Sequence, residues 1–353
     1  MSISNADDLT PEWFTRVLGS SGAMVIDVHR EQLSSGAMCG MTRAGLTWDT
    51  IGHEPASVIV KYPTADPGTR ALAEAMRMYE LEVQFYRDLA PHLAGVSIPT
   101  CYFSELNHTT SAFTLVLEDL RGKTRPGDVL TESTADECAA VLDQLAHLQG
   151  ASWNLSAAAA MPWLADRNRT YTVFDSMPAG LQPWLDRFGH ALEPEQVALF
   201  ETVIPQAGRW IRSWNGPSVV QHGDLRTDNI LFSLDPVPRA TIVDFQTVRL
   251  GPPGIDPAYF LGSSLSTQNR RAYELDLLKE FHRHLVAVGA ADYDFNACLR
   301  DYREGAIYAV FLFCGLSSQI PPSERFDRVI ADQTRRYADM ALDLNSARLA
   351  NLM

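Results

Sequence analysis

QHGDLRTDN at residues 221–229, followed by IVDFQ at residues 242–246, is the most informative part of this chain of 353 residues. Two of its acids and one of its amides, Asp224, Asp244 and Asn229, lie close to short apolar runs. Phosphoryl transfer from a nucleotide needs one carboxylate to orient the attacking hydroxyl, and an amide with a second carboxylate to hold Mg²⁺ on the phosphates. The spacing therefore predicts a site for phosphoryl transfer.

Each of these residue types matches one part of that chemistry. A carboxylate within hydrogen-bond reach of an alcohol fixes the direction of attack and accepts the proton, so Asp224 is the candidate base. Asn229 offers a neutral oxygen and Asp244 a charged one, and Mg²⁺ accepts such ligands together with substrate phosphates. The apolar runs beside the motifs read as short strands, so we expect these side chains at strand ends or in tight loops.

The two motifs resemble those of the aminoglycoside phosphotransferase and choline kinase superfamily, which is related to the protein kinases. Phe-Gln at residues 245–246, in place of Phe-Gly, and GPPGIDPAYFL at residues 251–261 are most similar to its ecdysteroid-kinase-like branch. Arg226 lies at a loop position that varies in this superfamily. The resemblance implies an α+β, two-lobed, protein-kinase-like fold. Residues 1–119 would form a small antiparallel-sheet lobe that clamps the nucleotide, and residues 120–353 a mainly helical lobe with the catalytic loop and acceptor site.

The resemblance also implies roles for the motif residues. It implies ATP and Mg²⁺ as cofactors, Asp224 as the catalytic residue, and Asn229 and Asp244 as the metal ligands. His222 and Asp256 would support the catalytic loop and would not react themselves.

Upstream, the sequence supplies candidates for the groups that hold the nucleotide. Lys61 ends an apolar strand at residues 58–61, where a kinase needs a cation for the phosphates and a glutamate to hold that cation. Residues 70–93 carry apolar side chains every three or four positions, which predicts one amphipathic helix. Glu82 borders its apolar face within EVQFY, similar to the family's ExxFY, and is the predicted partner of Lys61. The alternative is a solvated lysine and a surface acid.

Two further segments are candidates for contacts with the nucleotide. The glycine-bearing segment at residues 33–42 could be a hairpin that covers the phosphates, because small residues such as Gly36 and Gly40 let backbone N–H groups approach them. A hairpin without a ligand explains the same pattern. A further strand is predicted at residues 113–117. In the family, backbone groups that follow this strand contact the adenine, so the segment from Glu118 to Leu120 is the candidate edge for the base.

The composition restricts the partners. A net charge of −14 and a pI near 5.0 argue against nucleic acid, which needs basic patches, and allow a cationic substrate without requiring one. No run approaches the roughly 20 apolar residues of a membrane span. The first eight residues lack the basic and apolar regions of a signal peptide. We therefore expect no membrane partner and a cytoplasmic location, whereas the oligomeric state stays open.

The second lobe should be mainly helical. A capping box from Thr134 to Glu137 predicts a helix start. The alanines at 157–160 and the prolines at 162, 178 and 183 suggest an irregular insertion before a helix near residues 195–214. Further helices are predicted at about residues 257–265, 267–288, 294–316 and 323–348.

Aromatic side chains are frequent at residues 153–190, where they either pack a core or line an apolar acceptor site. They are Trp153, Trp163, Tyr171, Phe174, Trp184 and Phe188. Acids in this segment are interspersed with arginines, which does not favour a dedicated pocket for a polycation.

These features predict a small-molecule O-phosphotransferase that moves the γ-phosphate of ATP to a hydroxyl of an acceptor. Three alternatives remain: an antibiotic (aminoglycoside or macrolide) phosphotransferase, a protein kinase, and a non-catalytic nucleotide-binding module. A protein kinase is disfavoured by Gln246 in place of glycine and by the lack of an Ala-Pro-Glu segment. The acceptor, the choice of ATP or GTP, and the role of Gln246 (metal-site partner or strand-end residue) stay open.

Overall fold

The computed structural model describes residues 3–19, 22–33, 38–50, 52–110, 112–153, 161–317 and 324–353. The chain divides into two compact units. The first consists of Met1–His92, Ser97–Thr124 and Val243–Val248, and the second of Leu93–Val96, Arg125–Ile242 and Arg249–Met353. An antiparallel sheet in one unit and many helices in the other confirm the predicted fold class. A lobe boundary between residues 119 and 120 stays a prediction, and Asp244 belongs to the first unit.

The first unit is built on a five-stranded antiparallel sheet with the order β1-β2-β3-β5-β4. Its strands are β1 (Val25–Gln32), β2 (Cys39–Trp48), β3 (Ser57–Pro63), β4 (Cys101–Asn107) and β5 (Ala112–Glu118). Helix α1 (Pro11–Leu18) packs Trp13 and Phe14 into a core with Val58 and Val60 of β3. Lys61 lies on the central strand, opposite Met41 of β2 and Leu115 of β5.

The helix predicted over residues 70–93 is wrong as a single element. The chain forms α2 (Pro67–Ala75), turns at Arg77 with a φ of 54°, and continues as α3 (Met78–Gln84). A π-helical turn (Phe85–Leu89) and a 3₁₀ turn (Ala90–His92) follow. Apolar spacing of three and four residues is the same in one helix and in two helices joined by a left-handed residue, so periodicity could not locate the break.

The second unit is mainly helical. Its helices are α4 (Ala135–Trp153), α5 (Pro162–Ala165), α6 (Asn168–Phe188), α7 (Pro194–Val203), α8 (Ala207–Ser213), α9 (Ile255–Ser264), α10 (Thr267–Val288), α11 (Phe295–Gly305), α12 (Ile307–Ser317), α13 (Glu324–Asp343) and α14 (Ser346–Leu349). The predicted capping box is confirmed: Thr134 Oγ1 accepts from the Glu137 N–H, and Glu137 accepts from the Thr134 N–H. The helices predicted at 195–214, 294–316 and 323–348 are each interrupted by a short break.

Of the predicted irregular insertion, residues 157–160 lie outside the described residues, and the part predicted from the prolines is wrong. Pro162 is at the start of α5, where a missing N–H costs nothing, and Pro178 and Pro183 both lie inside the 21-residue α6. Proline inside a helix costs about 3 kcal/mol. Burial of large apolar side chains at about 2 kcal/mol each offsets that cost. Trp184 of this helix, for example, is stacked on Phe200 in the core.

Short strands frame the QHGDLRTDN motif. They are β6 (Thr124–Pro126), β7 (Val219–Gln221), β8 (Ile230–Ser233), β9 (Ala240–Ile242) and β10 (Arg249–Gly251). Strand β7 pairs with β10, and β8 lies between β6 and β9. The motif therefore forms the connection from β7 to β8, as expected for side chains held in a tight loop. No helix in the part of the chain that the structure describes is long and apolar enough to cross a membrane.

Candidate active site

Lys61 is the centre of a buried polar cluster in the first unit. Its Nζ donates to Glu82 Oε1 at 2.6 Å and to Asp244 Oδ1 at 2.9 Å. The Lys61 side chain is 7% exposed and that of Glu82 is fully buried, whereas that of Asp244 is 35% exposed. The structure thus brings together three residues that the sequence singled out.

The charges of this cluster favour a protonated lysine. Burial acts to lower the pKa of Lys61, but the carboxylates of Asp244 and Glu82 outweigh it and raise that pKa well above its ordinary value. One ammonium faces two carboxylates at hydrogen-bond distance. The ammonium is therefore a fixed positive charge beside an accessible carboxylate.

The segment Asp244-Phe245-Gln246 is held against α3 and the π-helical turn. Asp244 has a φ of 70°, a conformation that is uncommon for residues other than glycine and that is often found at functional sites. The Phe245 ring is stacked on Phe85, with centroids 3.6 Å apart. Gln246 Nε2 donates to Glu82 Oε2 at 3.3 Å. Gln246, whose role the sequence left open, is therefore a partner of Glu82.

Asp224 is the centre of a second polar cluster, in the second unit. Its Oδ1 accepts from the Tyr259 hydroxyl at 2.9 Å. Asn229 Nδ2 donates to the backbone carbonyl of Asp224 at 2.8 Å and to its Oδ2 at 3.3 Å. Arg226 Nε lies 3.6 Å from the same Oδ2. The Asp224 side chain is 31% exposed, so a bound molecule could reach a carboxylate whose orientation is already set.

Asp256, in the first turn of α9, is fully buried beneath this loop. Its carboxylate accepts from the backbone N–H groups of His222 at 2.7 Å and Gly223 at 3.1 Å. The ring of His222 is buried, and its Nδ1 accepts from the Asp224 N–H at 3.3 Å. Burial raises the pKa of Asp256, against the opposing effects of His222, Arg249 and the two backbone donors. These are the contacts that we expect of residues that support the loop.

Sequence reasoning missed two members of this cluster. Tyr259 follows Asp256 by three positions on α9, so both side chains lie on one face of the helix and both point to the loop. That spacing was visible within the GPPGIDPAYFL segment. Arg226 lies at a position that varies in the superfamily, so the motif gave no signal for it. The Asp224 carboxylate raises the pKa of Arg226, which is thus a permanent cation at the loop.

The predicted metal ligands have the donor chemistry that Mg²⁺ requires. Because Nδ2 of Asn229 is used by Asp224, its Oδ1 remains as the ligand atom. Asp244 presents an accessible carboxylate. Among the described residues, no group of three or more His, Cys, Asp or Glu side chains could hold a metal ion. An amide oxygen and a carboxylate oxygen are each of the type that Mg²⁺ accepts beside phosphates and water.

At the predicted adenine edge, the Leu120 carbonyl accepts from the N–H groups of Lys123 and Thr124. The Leu120 N–H has no acceptor among the residues that the structure describes. The carboxylate of Glu118 accepts hydrogen bonds from Thr100 and Lys123, so both of its oxygens already have partners within the protein. This agrees with a role for the backbone and not for the side chain.

Of the two glycines predicted to cover the phosphates, the structure describes one. Gly36 lies outside the described residues. Gly40 lies on β2 opposite Tyr62, and a Cβ at this position would come 2.3 Å from the Tyr62 ring. Packing against that ring alone explains a glycine here.

The fold and the two clusters define a kinase-like protein of the small-molecule phosphotransferase type. The ecdysteroid kinase-like family matches residues 36–290, and the chain belongs to this family.

One known protein is similar to this chain in sequence, and known structures are similar to it in fold. The chain is 25% identical to an uncharacterized kinase-like protein of Caenorhabditis elegans over 280 residues, 75% of this chain and 69% of that protein. Choline kinase from Cryptosporidium parvum Iowa II superposes with a TM-score of 0.59 at 10% identity, covering 91% of each chain. The GDP complex of aminoglycoside 2'-phosphotransferase-IIIa superposes with a TM-score of 0.54 at 15% identity, covering 90% of this chain and 94% of the other. At such identities the two structures show the fold alone.

Proposed function

We propose that this protein is an ATP-dependent kinase that transfers the γ-phosphate to a hydroxyl group of a small molecule. The observation that carries the proposal is the setting of Asp224. Its carboxylate is accessible, and Tyr259 and Asn229 each donate to one of its oxygens. A general base must be held within reach of the proton that it accepts while remaining open to the substrate.

In this proposal the other residues hold the nucleotide. Lys61 neutralises phosphate charge, and Glu82 holds Lys61 at 2.6 Å. Asn229 Oδ1 and the Asp244 carboxylate would bind Mg²⁺. When bound, that ion would neutralise the charge of the transferring phosphoryl group. Leu120 would offer its backbone N–H to the base.

The chemical step then needs little from the protein beyond position and charge. As the acceptor oxygen attacks the γ-phosphorus and the bond to the leaving diphosphate breaks, Asp224 accepts the hydroxyl proton. Phosphoryl transfer passes through a loose transition state, so orientation of the hydroxyl and charge stabilisation supply most of the rate. Tyr259 and Asn229 would keep Asp224 in the orientation that directs the attack.

A coupled ADP-release assay tests the proposal. It compares wild type, Asp224→Asn and the control Asp136→Asn, an exposed acid on α4, against aminoglycosides, macrolides, amino alcohols, sugars and hydrophobic alcohols. GTP is run beside ATP, because one structure of the same fold is a GDP complex. We expect release that depends on one acceptor class, persists in Asp136→Asn and disappears in Asp224→Asn.

The alternatives predict other results in the same assay. Release with aminoglycosides or macrolides alone would identify an antibiotic phosphotransferase. Tight Mg-ATP binding without transfer to any acceptor would support the non-catalytic module, and near-wild-type release by Asp224→Asn would contradict the assignment of the base.

A further inference from the structure

Gln246 lies where the protein kinases have a glycine, and its side chain is almost fully buried. It shares Glu82 with Lys61: Lys61 donates to Oε1 at 2.6 Å and Gln246 to Oε2 at 3.3 Å. The Glu82 carboxylate has no solvent access, and each of its two oxygens accepts from one donor. An amide suits this place because it donates without adding a charge.

Loss of that donor would change the setting of Glu82. A buried carboxylate oxygen without a partner is unfavourable, because it has lost water and gained no donor in exchange. The carboxylate would relieve this cost by rotating, and its bond to Lys61 would change with it. A glycine at position 246 could not prevent such a rotation because it has no side chain.

The same short segment contacts the Lys61–Glu82 pair in two further ways. Asp244 accepts from Lys61 Nζ at 2.9 Å, and the Phe245 ring is stacked on Phe85, three residues beyond Glu82. Three consecutive residues thus fix the segment to the strand of Lys61 and the helix of Glu82. In protein kinases the lysine–glutamate pair and the metal-binding aspartate must both be in place, and regulatory events control this.

We infer that Gln246 is a positioning residue that holds Glu82, and through it Lys61, in the phosphate-binding arrangement, so that the pair is assembled without an activation step. This inference rests on the proposed function of Lys61 as the nucleotide ligand. Gln246 acts through Glu82 and does not touch the nucleotide.

Mg-ATP binding by calorimetry, which needs no acceptor, tests this inference. Gln246→Met keeps the length of the side chain and removes the donor. The control is Gln84→Met on α3, which removes a similar bond at 3.3 Å to the more exposed Glu80. We expect Kd to rise about tenfold in Gln246→Met and less than about twofold in Gln84→Met. Equal Kd values in wild type and Gln246→Met would overturn the inference.

A double-mutant cycle separates positioning from a general structural effect. In a Glu82→Met background, Gln246→Met should have no further effect on Kd, because the group that it positions is gone. The same tenfold loss in both backgrounds would overturn the inference. Thermal unfolding identifies any variant that does not fold, and Gln246→Leu then replaces Gln246→Met. Absence of Mg-ATP binding in folded wild type would contradict the proposed function itself, whereas binding that is insensitive to Gln246 contradicts only this inference.

Discussion

The two polar clusters of this molecule differ in the partners of their central charged group and in how accessible that group is. In the lysine cluster of the first unit (Lys61, Glu82, Asp244 and Gln246), the ammonium lies 2.6 and 2.9 Å from two carboxylates and is nearly inaccessible. In the aspartate cluster of the second unit (Asp224, Asn229, Tyr259 and Arg226), neutral donors lie 2.9 and 3.3 Å from the carboxylate. Its cation is farther away, at 3.6 Å.

This difference separates two tasks that a kinase must perform. A buried ion pair fixes a charge in one place, and removal of one partner leaves the other uncompensated. An accessible carboxylate oriented by neutral groups keeps an oxygen for a substrate and can be changed with little effect on folding. We therefore expect changes in the lysine cluster to affect stability and nucleotide binding, and changes in the aspartate cluster to affect turnover.

Asp224→Asn should have the largest effect. Loss of a general base lowers turnover by about 10³-fold, equivalent to about 4 kcal/mol. Because the side chain is partly exposed and keeps its size, the free energy of unfolding should change by less than about 1 kcal/mol. Steady-state kinetics, calorimetry with Mg-ATP and urea unfolding check the three parts. A large loss of stability would remove the contrast between the clusters.

Lys61→Met should show the opposite pattern. Glu82 loses its cation inside the first unit, so we expect the free energy of unfolding to fall by about 3 kcal/mol. The double variant Lys61→Met with Glu82→Met removes the unpaired charge as well and should regain part of that loss. Urea unfolding of the three proteins measures this. A double variant less stable than Lys61→Met would show that the pair is not a coupled buried unit.

Much of the fold was predictable because its signals are local. The capping box at Thr134 and the apolar run before Lys61 each depend on a few neighbouring residues. The break at Arg77 and the prolines inside α6 were not predictable, because tertiary packing decides them. A proline is a strong local signal for a break, and only burial of side chains from elsewhere in the chain overrides it.

In the candidate site, too, local signals were readable from the sequence and long-range contacts were not. Asp224, Asn229 and Asp244 became candidates through their spacing within one short stretch of the sequence, and their roles stay predictions. Two contacts that define the clusters were not identified: Tyr259 with Asp224, 35 positions apart, and Gln246 with Glu82, 164 positions apart. One sequence gives the residue types at each position but does not show which distant residue meets which.

Tyr259→Phe should have a smaller, selective effect within the aspartate cluster. It removes the hydrogen bond to Asp224 Oδ1 and keeps the ring that is stacked on Tyr337. We expect turnover to fall about tenfold with the Kd of Mg-ATP unchanged, because only the orientation of the base is affected. Tyr302→Phe, which removes a similar buried bond to Glu274, is the control and should keep wild-type turnover. Equal losses in both variants would mean that the effect is not specific to Asp224.

The smallest effect concerns pH and the buried acid beneath the aspartate cluster. Burial raises the pKa of Asp256 above its ordinary value of 3.8. Its contribution to stability is therefore fully present below about pH 3.8 and is lost as pH rises through the higher pKa of the folded protein. Asp256→Asn does not titrate, so the unfolding free energy of wild type minus that of the variant should decrease with rising pH, by at most about 1.4 kcal/mol per unit. Urea unfolding of both proteins at a series of pH values above about 3.8 measures this slope. If the difference in unfolding free energy increased with pH, the N–H groups of His222 and Gly223 would stabilise the carboxylate more than burial destabilises it.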